Sequence, residues 1–240
     1  MFVDWGNIDS KGTIQTSDEE IQSFLNFTKD QGFNLIPYTE VICKDFNFFD
    51  GEFQRNLINS YVKLNNLGFN GALVDVEAIR DNSENEGSIA RNQEEQYLKF
   101  LDNLRAALPN KPIFAYAGML NEHPNEWEWS PALAREVSKR GVNISISSYD
   151  TGIKNKREYQ DYINDQFGQW ASLNLPSKLF LTVPTHKNND DPSSPETIEN
   201  CLETFCQNPA SNYFSGAVLI FEYTTDDKEW KIFNQYFNNN

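Results

Sequence analysis

The sequence predicts an α/β fold, a (β/α)8 barrel of the TIM type that is one strand short. Three observations carry this. Short apolar runs alternate with amphipathic helix patterns along the whole chain, roughly seven of each, with no break in composition, and strict alternation of this kind builds a parallel sheet. No glycine-rich phosphate loop follows any strand run, which removes the main signature of an open nucleotide-binding sheet. Polar side chains gather at the carboxyl ends of the runs: Glu40, Asp75 with Glu77, Tyr116, Tyr149 with Asp150, His186 and Glu222. Several strand ends feeding polar groups to one face is how a barrel builds a site. The 240 residues suit a single domain spanning 1–240.

The elements follow in order. Phe2 to Gly6 reads as a short strand, and Thr16-Ser-Asp-Glu-Glu20 as a helix start with acids in its first turn. That helix ends near Gly32. A strand over Phe33 to Cys43 contains Pro37, which weakens a regular ladder there. Phe53, Leu57, Ile58, Tyr61 and Leu64 keep helical spacing between Phe49 and Leu67, and Gly68 stops that helix. Asn70-Gly71 is a turn, and Ala72 to Val76 is an apolar, β-branched run suited to a strand covered on both faces. A helix from Ser88 to Leu108 is stopped by Pro109. The strand Ile113–Met119 leads into a polar, aromatic loop from Asn121 to Trp129. Ser130-Pro131 opens the next helix, with proline at its first position. Strands then fall at Val142–Tyr149, Lys178–Val183 and Gly216–Tyr223. Helices fall at about Lys156–Leu173, Pro195–Gln207 with Ser194-Pro195 at its start, and Asp226–Phe237.

Charge narrows the function. Asp and Glu number 35 against 20 Lys and Arg, for a net charge of −15. Such a surface repels phosphate backbones and anionic lipids, so no nucleic-acid partner is expected, while a neutral sugar is compatible with it. No run approaches the ~18 apolar residues of a membrane span. The start Met1-Phe-Val-Asp-Trp-Gly6 shows no signal peptide, so an extracellular or periplasmic location would require one to have been removed. Cys43, Cys201 and Cys206 form no disulfide framework, and no histidine stands near the last two, so no metal site or cofactor is expected from them. His123 and His186 are the only histidines, and no Gly-x-Ser-x-Gly elbow accompanies them.

The informative stretch is the strand around Asp75 and Glu77. Residues two apart on a strand share a face, so these carboxylates project together about 7 Å apart. Burying one carboxylate is costly and burying two side by side costs more. A strand end that carries such a pair is a candidate site, against the blander reading of an N-cap or a salt bridge.

Asn70-Gly-Ala-Leu-Val-Asp-Val-Glu77 resembles the Asp-Gly-x-Asp-x-Asp-x-Glu strand of family 18 glycoside hydrolases, the chitinase-like barrels. The last Asp and the Glu match at Asp75 and Glu77; Asn70 and Leu73 replace the other two acids. Ile144-Ser-Ile-Ser-Ser-Tyr-Asp150 is similar to that family's sixth strand, which ends in Tyr-Asp. Gly216-Ala-Val-Leu-Ile-Phe221 is similar to its eighth, where Ile220, Phe221 or Glu222 takes the place of a Trp. In this alignment Phe2–Gly6 is the second strand, and the first is missing or irregular.

The resemblance implies a mechanism. Glu77 is the general acid, Asp75 orients the substrate's 2-acetamido group, Tyr149 donates to its carbonyl, and Asp150 lies beside the sugar or supports Tyr149. The acetamido carbonyl is the nucleophile, the substrate-assisted exception to the two-carboxylate scheme. The implied partner is an oligo- or polysaccharide, with no cofactor. Glu222, Phe221, Tyr116, Glu40, Trp127 and Trp129 are expected to line the cleft, the two Trp as walls on which a sugar stacks. Trp5 and Trp230 are weaker candidates for stacking. Alternatives stay open: Glu77 and Glu222 as an ordinary retaining pair, a sugar-binding barrel with little turnover because Leu73 removes a relay acid, and a metal site built from Asp75, Glu77 and Glu222.

Overall fold

The structure is a computed structural model and describes residues 1–4, 8–43, 45–77, 79, 89–125, 127–185, 193–219 and 225–237. Seven strands, β1 (Phe2–Asp4), β2 (Ile36–Ile42), β3 (Ala72–Glu77), β4 (Ile113–Ala117), β5 (Asn143–Ser147), β6 (Leu179–Val183) and β7 (Phe214–Leu219), alternate with helices. The helices are α1 (Asp18–Thr28), α2 (Gly51–Leu67), α3 (Ile89–Ala107), α4 (Pro131–Lys139), α5 (Lys156–Ser172), α6 (Ile198–Gln207) and α7 (Asp227–Phe237). The strands form one sheet in sequence order, every neighbouring pair parallel. It curls into an open barrel, and among the described residues no pairing joins β7 to β1.

The pleat sorts each strand between two cores. On β3 the outward residues Ala72, Val74 and Val76 join the layer shared with α2 and α3, whose Leu57, Tyr61, Phe100 and Leu104 are fully buried. The inward Leu73 packs with Ile36, Phe114 and Tyr116, flanked by Phe2, Tyr38, Tyr149 and Phe180, to plug the barrel. With both faces covered, a near-continuous apolar run is required, and the two acids at its end stand out chemically.

Local sequence sets where β3 begins. Gly68 caps α2 at φ 135°, its N–H bonded to the Leu64 carbonyl at 3.2 Å. Gly71 sits at φ 118°, and a Cβ there would lie 2.2 Å from the Pro112 carbonyl oxygen, so only glycine fits. Asn65 clamps the same turn, accepting from the Gly71 N–H at 2.7 Å and donating to its carbonyl at 2.8 Å. Pro37 is accommodated inside β2 because pairing with β3 begins one residue later, at Tyr38 opposite Leu73. The start of α6 differs from the sequence expectation. Its cap is Thr197, which accepts from the Asn200 N–H, rather than Ser194-Pro195. The reason is that Glu196 turns its carboxylate toward the end of β5 instead of entering the helix.

Candidate active site

At the carboxyl end of the sheet lies a cleft of about 560 Å³, lined among others by Asp75, Glu77, Tyr116, Gly118, Trp127, Glu128, Trp129, Ser147, Tyr149, Asp150 and Tyr162. Asp75 is 4% exposed. Its Oδ2 accepts from the Tyr38 hydroxyl at 2.9 Å, while Oδ1 is buried with no hydrogen-bond partner among the described residues. Leu73, two residues back on the same face, has nothing to offer it. Glu77, one pleat nearer the mouth, is half-buried.

The two acids hold protons tightly. Burial raises the Asp75 carboxyl well above the usual carboxylate range, and the neighbouring Glu77 and Glu40 charges push the same way, against the Tyr38 hydrogen bond. Burial also raises Glu77, to about 7, helped by the charges of Glu40 and Asp150. A carboxylic acid that keeps its proton near neutrality is what a general acid requires.

Tyr149 faces the pair from the end of β5. Its hydroxyl accepts from the Tyr116 hydroxyl, and the two rings lie 6.4 Å apart at 40°. Burial raises both phenols above their usual range, so both act as neutral hydrogen-bonding groups. Asp150 follows at φ 59°, a left-handed conformation that Asp tolerates better than most residues.

The aromatic loop after β4 forms one wall. Trp129 is tied to the strand end by its N–H to the Met119 carbonyl and its carbonyl to the Asn121 N–H, each at 3.0 Å. It is 4% exposed and meets the Tyr97 ring edge-on at 6.1 Å, so it braces the loop against the core while one side borders the cleft. Trp127 is 46% exposed at the lip. Glu128 fixes the loop between them, accepting from Asn121 Nδ2 at 2.9 Å and the Asn125 N–H at 3.0 Å.

The structure therefore brings Asp75, Glu77, Tyr116, Tyr149, Asp150, Trp127 and Trp129 to one cleft. Glu40 stands beside Asp75 in the β2–β3 register, outside the cleft lining, its carboxyl raised by partial burial and by the Asp4 charge. Trp230 lies on α7, away from the cleft lining. Phe221, Glu222, Trp5 and His186 lie outside the described residues. Sequence reasoning missed Tyr38 and Glu196. Tyr38 shares strand parity with Glu40 and could have been found that way; nothing in the sequence around Glu196 marks it. Among the described residues no three His, Cys, Asp or Glu side chains are grouped to hold a metal ion, and no helix is long and apolar enough to cross a membrane.

Comparison with known proteins places the fold. No protein-family model and no curated protein matches the sequence. Solved structures do. Chitinase ChiA74 from Bacillus thuringiensis superposes with a TM-score of 0.63 at 13% identity, over 92% of this chain and 52% of that one. A GH18 chitinase from Pseudoalteromonas aurantia gives 0.58 at 13% identity, over 90% of this chain and 79% of that one. The fold is that of the GH18 chitinases. A GH18 chitinase from Cycas revoluta in complex with (GlcNAc)3 gives 0.54 at 13% identity, over 77% and 60% of the two chains. This chain thus spans little more than half the length of the Bacillus chitinase and three-fifths of the Cycas enzyme.

Proposed function

We propose that the protein is a glycoside hydrolase acting on a β-linked, N-acetylated glycan. The observation that carries this is the placement of Glu77 beside the deeper Asp75 in a cleft that Tyr149 also lines, where burial raises the Glu77 carboxyl to about 7. Glu77 gives its proton to the glycosidic oxygen as the bond to the anomeric carbon breaks. The substrate's own acetamido carbonyl oxygen closes on that carbon, with Asp75 and Tyr149 orienting the amide. Glu77, now a carboxylate, takes a proton from the water that opens the cyclic intermediate, which restores the acid and retains the anomeric configuration. Sugar complexes in chitinases of the same fold support the substrate class.

A second reading is a sugar-binding barrel with little turnover. The buried Asp75 Oδ1 beside Leu73, without a hydrogen-bond partner among the described residues, favours it. The discriminating experiment offers the protein a β-1,4-linked N-acetylglucosamine oligosaccharide and its glucose counterpart, which lacks the acetamido group. The hydrolase reading expects new reducing ends from the first and none from the second. Cleavage of both at similar rates would contradict the substrate-assisted route. Binding of the first without cleavage would select the binding barrel.

A further inference from the structure

Glu196 stands outside the cleft lining, at the entrance to α6. It is 6% exposed, and its carboxylate is spent on the turn that follows β5. Oε2 accepts from the Asp150 N–H at 2.7 Å. Oε1 accepts from the Thr151 N–H at 2.9 Å and from the Thr151 hydroxyl at 2.6 Å. The Thr151 hydroxyl in turn accepts from the Ile153 N–H at 3.2 Å, which extends the grip along the turn. Two neighbouring backbone N–H groups aimed at one carboxylate form an anion-binding concavity of the kind used for phosphates. Here it is filled from within the chain. These bonds are charge-assisted, and they hold a non-glycine residue in the left-handed region.

We propose that Glu196 is a positioning residue of the cleft: its buried carboxylate fixes the Tyr149–Thr151 turn, and with it the place of Asp150 and Tyr149 opposite Glu77. The inference rests on the assignment of Glu77 as the proton donor only for its catalytic consequence. The geometry stands without it. Glu77 faces titratable groups from each neighbouring element: Asp75 on its own strand, Glu40 and Cys43 from the β2 side, and Tyr149 and Asp150 from the end of β5. Of these, Glu196 governs only the last two. A glutamine at position 196 keeps the size but turns an N–H2 toward one of the backbone donors, so the turn loses its two-pronged acceptor.

The test follows the Glu77 titration by carboxyl-carbon NMR in the substrate-free protein. In Glu196→Gln, the proton affinity of Glu77 should fall about threefold or more as the Asp150 charge moves away. In Asp150→Asn it should fall similarly, and adding Glu196→Gln to Asp150→Asn should add only a smaller change, the part that comes through Tyr149. Thr151→Val, which removes only the hydroxyl, should give a smaller fall of the same sign, and carries the test if Glu196→Gln does not fold. An unchanged titration in a folded variant would overturn the proposal. So would an equal fall in the Asp150→Asn background, because Glu196 would then act through its own charge. No substrate enters this measurement. Failure to hydrolyse any glycan would therefore count against the proposed function and leave the positioning role of Glu196 standing.

Discussion

At the scale of single residues, the cleft depends on how deeply each acid sits. Asp75 is buried, with one oxygen bonded to Tyr38 and the other without a partner among the described residues; Glu77 lines the cleft. Burial dominates both shifts, and the charges of neighbouring acids add to it. Stability inherits a pH dependence from this. The unfolded Glu77 loses its proton near the ordinary value of about 4.3, whereas the folded one keeps it to about 7. Over that window the native state binds more protons than the unfolded state, so stability is fullest below it and falls as pH rises through it. Asp75 contributes in the same direction. Urea denaturation should find the protein less stable at pH 8 than at pH 5, with Glu77 responsible for on the order of 2 kcal/mol after allowance for its partly open position. Glu77→Gln should remove that share of the loss.

At the scale of elements, strand ends and the turns after them do the positioning. Gly118 directly follows β4 and lines the cleft, and a Cβ there would lie 2.1 Å from the Trp127 carbonyl oxygen. The aromatic loop can lie against the strand end only because residue 118 has no side chain. Gly118→Ala should push that loop outward, costing about 1–3 kcal/mol in denaturant unfolding, the usual range for overpacking. Trp127 fluorescence should change with it. The same logic explains why α6 starts late. The residues before it hold the β5 turn, and a helix begun at Pro195 would carry the Glu196 carboxylate away from Asp150 and Thr151.

At the scale of the whole molecule, the alternation of apolar runs and helical patterns was enough to read seven parallel strands and an incomplete barrel. Burial on both faces forces apolar strands, and glycines such as Gly68 and Gly71 mark where β3 can begin. The acids of β3 were legible for a related reason: a costly group at the end of an apolar strand has few structural uses. Tyr149 and Asp150 were read as polar residues at a strand end and from the resemblance to family 18, and they line the same cleft. Tyr38 and Glu196 were harder to see because they act across elements. A tyrosine in an apolar strand looks like core, and a glutamate after a proline looks like surface. Their partners lie 37 and 46 residues away. Phe221 and Glu222, expected at the end of the last strand, lie outside the described residues. In the function proposed above, the strand-end cleft is an active site run by one protonated acid. The most direct measurement is release of reducing ends from an N-acetylglucosamine oligosaccharide by the wild-type protein and by Glu77→Gln, with binding and thermal unfolding measured on both. Turnover should fall by at least ~100-fold in the variant, with the fold and the binding kept; equal turnover in the two proteins would contradict the role given to Glu77.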